Sequence, residues 1–142
     1  MARGNPPPPL RGVLETSIYV SDLERSREFY SRLFGFQVMK GDERFCAFNV
    51  AGLDVLLLFL KGGTPGPLQT PGGWIPPHDG VGRLHFAFAI GEEDLAAWEA
   101  RLGEQGIEIE SRVDWPRGHS IYFRDPDEHL VELVTPGLWA NY

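Results

Sequence analysis

Apolar and polar positions follow two different periods along the chain, and the switches between them mark the elements. Over residues 12–20, Leu14, Thr16, Ile18 and Val20 alternate with Glu15, Ser17 and Tyr19. This is the two-residue period of a strand with one apolar and one polar face. Ser21 to Glu24 then read as a capping box, in which Ser21 accepts from the Glu24 amide and Glu24 reaches back. A helix is predicted over about 22–33, with Leu23, Tyr30 and Leu33 at helical spacing, Phe29 beside them and Gly35 as its stop. Short strands are predicted at 36–39, 44–50 and 53–60, the last after an Ala51-Gly52 turn. Residues 61–80, KGGTPGPLQTPGGWIPPHDG, show no period and read as a long connection.

The pattern then restarts. Residues 84–90 alternate, G-E-E-D leads into a helix carrying Leu95, Trp98 and Leu102, and Gly106 closes it. Strands are predicted at 107–113, 119–124 and 129–134, the last two joined by the D-P-D-E turn. Laid on each other, the halves match Leu14 with Leu84, Glu15 with His85 and Val20 with Ile90, an offset of 70 residues. The expected architecture is α+β: two βαβββ modules forming a cupped, mostly antiparallel sheet with helices outside. The modules are 12–61 and 81–137, joined by the Gly/Pro-rich loop 62–80, within a single domain 12–142. Residues 1–11, which include four consecutive prolines, are expected to be a disordered arm.

Sorted by face, Leu84, Phe86, Phe88 and Ile90 are bulky and suit packing under a helix, whereas His85, Ala87 and Ala89 place one imidazole above two small side chains. That second face has room for a ligand. Glu15, Ser17 and Tyr19 occupy the equivalent face of the first strand, and Glu132 stands in the apolar run H-L-V-E-L-V. If Glu15, His85 and Glu132 converge, they offer two carboxylates and an imidazole, a set suited to Mn²⁺, Fe²⁺, Zn²⁺ or Mg²⁺. A strand histidine also serves as a hydrogen-bonded core or edge residue, and a Glu in an apolar strand can mark an exposed edge. Spacing alone leaves both readings open.

Composition narrows the partners. The 142 residues carry a formal net charge of −7 and no Lys/Arg cluster, which argues against nucleic acid. No apolar run is long enough to span a bilayer, and the first nine residues lack the apolar centre of a signal peptide. A single cysteine, Cys46, excludes a disulfide framework and a thiolate metal site, so a cytoplasmic protein is expected.

Three segments carry a resemblance: LETSIYVSDLERSREFYSRLFGF (14–36), LHFAFAI (84–90) and SIYFRDPDEHLVELVTPG (120–137). With the repeat they cover nearly all of residues 12–137, and the chain resembles the vicinal oxygen chelate superfamily of glyoxalases, bleomycin-resistance proteins, fosfomycin-resistance enzymes and type I extradiol dioxygenases. The resemblance implies metal ligands on the first and last strands of the modules, at Glu15, His85 and Glu132. It also implies a small-molecule substrate that chelates the metal through vicinal oxygens, and a homodimer. The reaction implied is a dioxygenase-like step or a lyase or isomerase step. The rival is a metal-free, drug-sequestering protein of the bleomycin-resistance type.

Two departures bear on this. Dioxygenases and fosfomycin enzymes carry histidine where this chain has Glu15, which favours harder cations. Glyoxalases use a further ligand on the fourth strand, where this chain has only V-L-L-L-F, which argues against glyoxalase I activity. Glu128 also stands where the turn commonly has glycine. If the hairpin pairs Asp125 with His129, Tyr122 faces Glu132 on the cup with Ser120 and Arg124; a slip of one residue substitutes Ile121. The resemblance favours Tyr122, as a catalytic phenol able to donate to a bound oxygen. His78, with Trp74, lies on the long loop, which is either a surface linker or a lid carrying a second catalytic candidate.

Overall fold

The structure is a computed structural model and describes residues 4–142. The first three residues of the expected arm lie outside the described residues; residues 4–11 are exposed and form neither helix nor strand. The elements are β1 (Glu15–Val20), α1 (Leu23–Phe34), β2 (Gln37–Gly41), β3 (Phe45–Val50), β4 (Asp54–Leu60), β5 (Leu68–Thr70), β6 (Gly73–Ile75), β7 (His85–Ala89), a 3₁₀ turn (Glu92–Asp94), α2 (Leu95–Glu104), β8 (Ser111–Asp114), β9 (His119–Arg124) and β10 (Leu130–Val134). Two four-stranded sheets result, ordered β1-β4-β3-β2 and β7-β10-β9-β8. In each, the first strand runs parallel to its neighbour and the others are antiparallel. These are the two βαβββ modules of an α+β fold. Among the described residues no helix is long and apolar enough to cross a membrane.

Three local differences have physical causes. Helix α1 is capped by Asp22, whose carboxylate accepts from the Arg25 amide, and not by Ser21. Ser21 is drawn elsewhere: its amide and hydroxyl both donate to the Asp127 carboxylate, at 2.9 and 2.7 Å. The connection is not wholly irregular, because β5 and β6 pair as a hairpin whose turn is tied by Thr70 Oγ1 donating to the Gly73 carbonyl. The strand predicted at 107–113 is only β8, since Ile107 and Ile109 pack inward ahead of the ladder and mimic its period.

The core explains how the modules sit. Ile18, Val20, Tyr30, Cys46, Phe48, Leu56 and Leu58 form one buried cluster; Leu33, Leu102, Ile121, Phe123, Val131 and Leu133 belong to the second. Phe29 and Phe34 of α1 and Phe86 and Phe88 of β7 pack against both clusters. Within one chain the modules therefore meet through their apolar faces, with α1 between them. Half-buried aromatic rings at this seam, such as Phe34 on Phe88 with centroids 4.8 Å apart, remove apolar area from water.

Polar contacts from the 125–129 turn lock the same seam. Asp125, buried, accepts from the Tyr30 hydroxyl at 2.7 Å and from the amides of Asp127 and His129. Burial pushes its carboxyl above the usual range despite these bonds. Asp127 accepts from Ser21 and lies 3.6 Å from Arg25 and 3.8 Å from Lys61, all on the first module. Next to Asp127, Glu128 takes the left-handed conformation at φ 66°, which L side chains rarely adopt.

Burial by itself would raise the Asp127 carboxyl, but the Ser21 bonds and the charges of Lys61 and Arg25 outweigh it and hold it below the usual value. A lowered folded value means that the stabilisation is complete above the unfolded value of about 3.9 and is lost as the pH falls through the folded one. Asp127→Asn is expected to cost about 1–3 kcal/mol at neutral pH. In thermal melts from neutral to acid pH, the gap between wild type and variant should close only below that unfolded value. A gap of constant size down to strong acid would contradict the account.

Candidate functional site

The polar faces point away from the shared core, and each builds a different half of a site. On the first module, Glu15, Ser17 and Tyr19 of β1 share a face with Val55, Leu57 and Phe59 of β4 and with Phe45 and Ala47 of β3. Tyr19, Phe59 and Phe45 are cross-strand neighbours and form an aromatic row, with centroids 5.9 and 6.2 Å apart. Ser17, Leu57 and Ala47 make the next row, and Glu15 and Val55 the one beyond. The connection folds along this floor, and Thr64, Leu68, Ile75, Pro76 and His78 border a half-open cavity of about 820 Å³ that Lys40 and Arg44 also line. That is a volume suited to a drug-sized ligand. The predicted loop 62–80 is thus a cover over the sheet.

His78 holds that cover down. Its Nδ1 is 2.6 Å from the Tyr19 hydroxyl, and its ring meets Phe59 edge-on at 4.5 Å. The His78 amide donates to the Thr64 carbonyl at 3.1 Å, and the Thr64 hydroxyl donates back to the His78 carbonyl, closing the loop at its base. Partial burial, together with the charge of Asp79, raises the Tyr19 phenol, which keeps it protonated at neutral pH.

On the second module, β9 pairs with β10 so that Tyr122 lies opposite Glu132. β10 pairs with β7 so that His85 lies opposite Leu130 and Ala87 opposite Glu132. This puts His85, Tyr122 and Glu132 on one face. His85 Nδ1 is 3.0 Å from the Leu130 carbonyl oxygen. A carbonyl only accepts, so Nδ1 carries a proton and Nε2 is the nitrogen turned outward. Nε2 faces Glu132 Oε1 at 3.3 Å. The cation that joins two such atoms is either a proton, which makes the contact an ion pair, or a metal ion. The other carboxylate oxygen, Oε2, accepts from the Ser120 hydroxyl at 2.6 Å, and Ser120 in turn accepts from Trp115 Nε1 at 2.8 Å. The His85 side chain is 49% exposed and Glu132 only 8%, so the nitrogen opens to solvent while the carboxylate is held from beneath. Burial and the Glu132 charge raise the Tyr122 phenol, which remains a proton donor at neutral pH.

His85 and Glu132 thus set an imidazole nitrogen beside a carboxylate oxygen, donor types suited to Mn²⁺, Fe²⁺ or Zn²⁺. Glu15 is not beside them. It lines the covered cavity of the other module, and among the described residues no three His, Cys, Asp or Glu side chains converge. The reason is the packing of the modules through their apolar faces, which turns the two polar faces apart. Arg124 is occupied by Glu110 at 2.7 Å and by the Glu128 carbonyl. Of the supporting residues, Ser120 follows from the two-residue period, whereas Trp115 lies in the W-P-R-G turn where no period reaches it.

A family model described as the Glyoxalase/Bleomycin resistance protein/Dioxygenase superfamily matches residues 12–133. The chain is 32% identical over 118 residues to a catechol-2,3-dioxygenase of Bacillus subtilis, covering 82% of this chain but spanning only 38% of that protein's length. It is 32% identical over 127 residues to the metallothiol transferase FosB of Bacillus licheniformis, covering 87% of this chain and 75% of the relative. Among solved structures, a lactoylglutathione lyase from Agrobacterium tumefaciens superposes with a TM-score of 0.82 at 29% identity, covering 94% of this chain and 99% of that one.

The cover has a sensitive point at Gly80. A Cβ there would collide with the Tyr19 ring at Cδ2, too close for the ring to stay in place. Gly80→Ala should displace Tyr19, break its bond to His78 and release the cover. Hydrogen exchange is expected to speed up at residues 61–80 while β7 to β10 stay protected. Unchanged exchange across the connection would show that Tyr19 and His78 do not hold it.

Proposed function

The chain belongs to the glyoxalase/bleomycin resistance protein/dioxygenase superfamily, and on that premise we propose that it is a divalent-metal-dependent enzyme acting on a small molecule whose vicinal oxygens chelate the metal. The observation that carries this reading is the half-exposed His85 Nε2 standing 3.3 Å from Glu132 Oε1, an imidazole nitrogen beside a carboxylate oxygen on one open face. His85 and Glu132 would hold the ion from one chain, and Glu15 of a second copy would complete the set in a homodimer. The divergence of the polar faces within one chain supports this division, since a site that needs both faces needs two chains.

When bound, the metal stabilises negative charge that develops on the substrate's oxygens. The residues of the chain supply the rest. Tyr122, kept protonated, donates to an oxygen of the substrate beside His85 and Glu132. The covered cavity, with its Tyr19–Phe59–Phe45 row, takes the apolar body of the substrate and keeps water from it. His78 closes that cavity. Dioxygen insertion and a lyase or isomerase step both draw on this arrangement, and a catechol dioxygenase, a metallothiol transferase and a lactoylglutathione lyase among the relatives make either chemistry accessible.

The test uses tag-free protein and Mn²⁺ calorimetry. Wild type is expected to bind about one ion per chain, and Glu15→Ala or His85→Ala alone should weaken binding by about 100-fold or more, beyond what loss of an outer-shell partner costs. Unfolded together and refolded, the two variants should recover tight binding at roughly one ion per mixed dimer, because each mixed pair contains one site with all three ligands. Failure to recover, with dimers formed, would place the ligands otherwise. No tight binding by wild type would leave the metal-free sequestering protein as the better reading.

A further inference from the structure

Trp115 and Ser120 lie beneath the proposed ion site and have no part in the chemistry described so far. Their hydrogen bonds admit only one direction. The indole Nε1–H is a donor without acceptor capacity, so at 2.8 Å Ser120 Oγ must accept from it. The single hydroxyl proton of Ser120 is then free only to donate, and it meets Glu132 Oε2 at 2.6 Å, the short length of a hydrogen bond to a charged oxygen. Ser120 is 2% exposed and Glu132 6%, so water does not compete for either bond. Trp115 is itself placed by a turn, its amide donating to the Gly118 carbonyl at 3.0 Å. The flanking strands hold that turn through the β8–β9 ladder, in which Asp114 pairs with His119 and Val113 with Ser120.

Resting on the metal-site reading above, we propose that Trp115 and Ser120 are positioning residues that fix Glu132 as a one-oxygen ligand. Oε2 is consumed by Ser120, the carboxylate plane is set, and only Oε1 is presented toward His85 Nε2. A carboxylate free to rotate would approach an ion through both oxygens and take up a position that the substrate needs. Trp115 acts only through Ser120, so its effect is contingent on the hydroxyl. Because the relay ends on an indole, the state of Glu132 is also legible at a tryptophan.

Two readouts test this, one of them without metal. In ¹⁵N-labelled metal-free protein, four indole signals are expected from Trp74, Trp98, Trp115 and Trp139, and Trp115→Phe identifies the one in question. That signal should move in Ser120→Ala and in Glu132→Gln, and again when Zn²⁺ is added to wild type. By calorimetry, Ser120→Ala should weaken Mn²⁺ binding about 10–100-fold with the dimer and secondary structure retained, and Ser120→Thr should recover most of it. Trp115→Phe should weaken binding less, and the double variant should match Ser120→Ala alone, a non-additivity that general loosening of the fold would not produce. Wild-type affinity in Ser120→Ala, or a Trp115 signal indifferent to Glu132→Gln, overturns the positioning role alone. Wild-type protein that binds neither Mn²⁺ nor Zn²⁺ overturns the site reading and this inference with it.

Discussion

A fully buried histidine ties the molecule together. His129 accepts the Leu84 amide proton on Nδ1 at 2.8 Å and donates from Nε2 to the Tyr19 carbonyl at 2.7 Å, which commits both ring nitrogens and fixes the neutral tautomer. One ring thus joins the end of β1, the approach to β7 and the start of β10, three segments from both modules. The turn that carries it adds Asp125 on Tyr30 and Asp127 on Ser21, Ser26, Arg25 and Lys61. Hydrophobic burial brings the modules together without choosing a register. These directional bonds choose one, because a buried ring with an unpaired nitrogen would cost more than the bond returns.

The divided site follows from that choice. With Phe86 and Phe88 turned onto α1, the alternation of β7 obliges His85, Ala87 and Ala89 to face outward. The same alternation turns Glu15, Ser17 and Tyr19 outward on β1 while Ile18 and Val20 go in. The clamp and the pleat together send the two polar faces in different directions, which is why the proposed site draws its second face from another copy of the chain.

Much of this was legible in the sequence because it rests on period. The 70-residue offset, the inward and outward faces and the placing of Tyr122 opposite Glu132 are consequences of a two-residue alternation read through a short turn. At the helix cap Ser21 satisfies the local rule, but a carboxylate over a hundred residues away offers it a stronger acceptor that no local pattern reveals. The cover over the first module was invisible to period, being built from Gly and Pro and held by His78 against two rings of other strands. Trp115 escaped for a similar reason. The period marks Glu15, His85 and Glu132 as outward-facing, but no pattern of residues says which copy of the chain supplies a face.

The repeat, laid on the strand registers, also gives the site its count of donors. Glu15 stands opposite Val55 and Ser17 opposite Leu57; in the second module His85 stands opposite Leu130 and Ala87 opposite Glu132. Leu57 is therefore the structural counterpart of Glu132. A pair of faces with donors at all four equivalent places would offer an ion four protein ligands. Here the fourth place is a leucine within the floor of the covered cavity, between the aromatic row and Glu15. In the proposed assembly, three donors with an apolar fourth place would leave one coordination position more than a four-donor set does, on the side from which a cavity-bound molecule would approach.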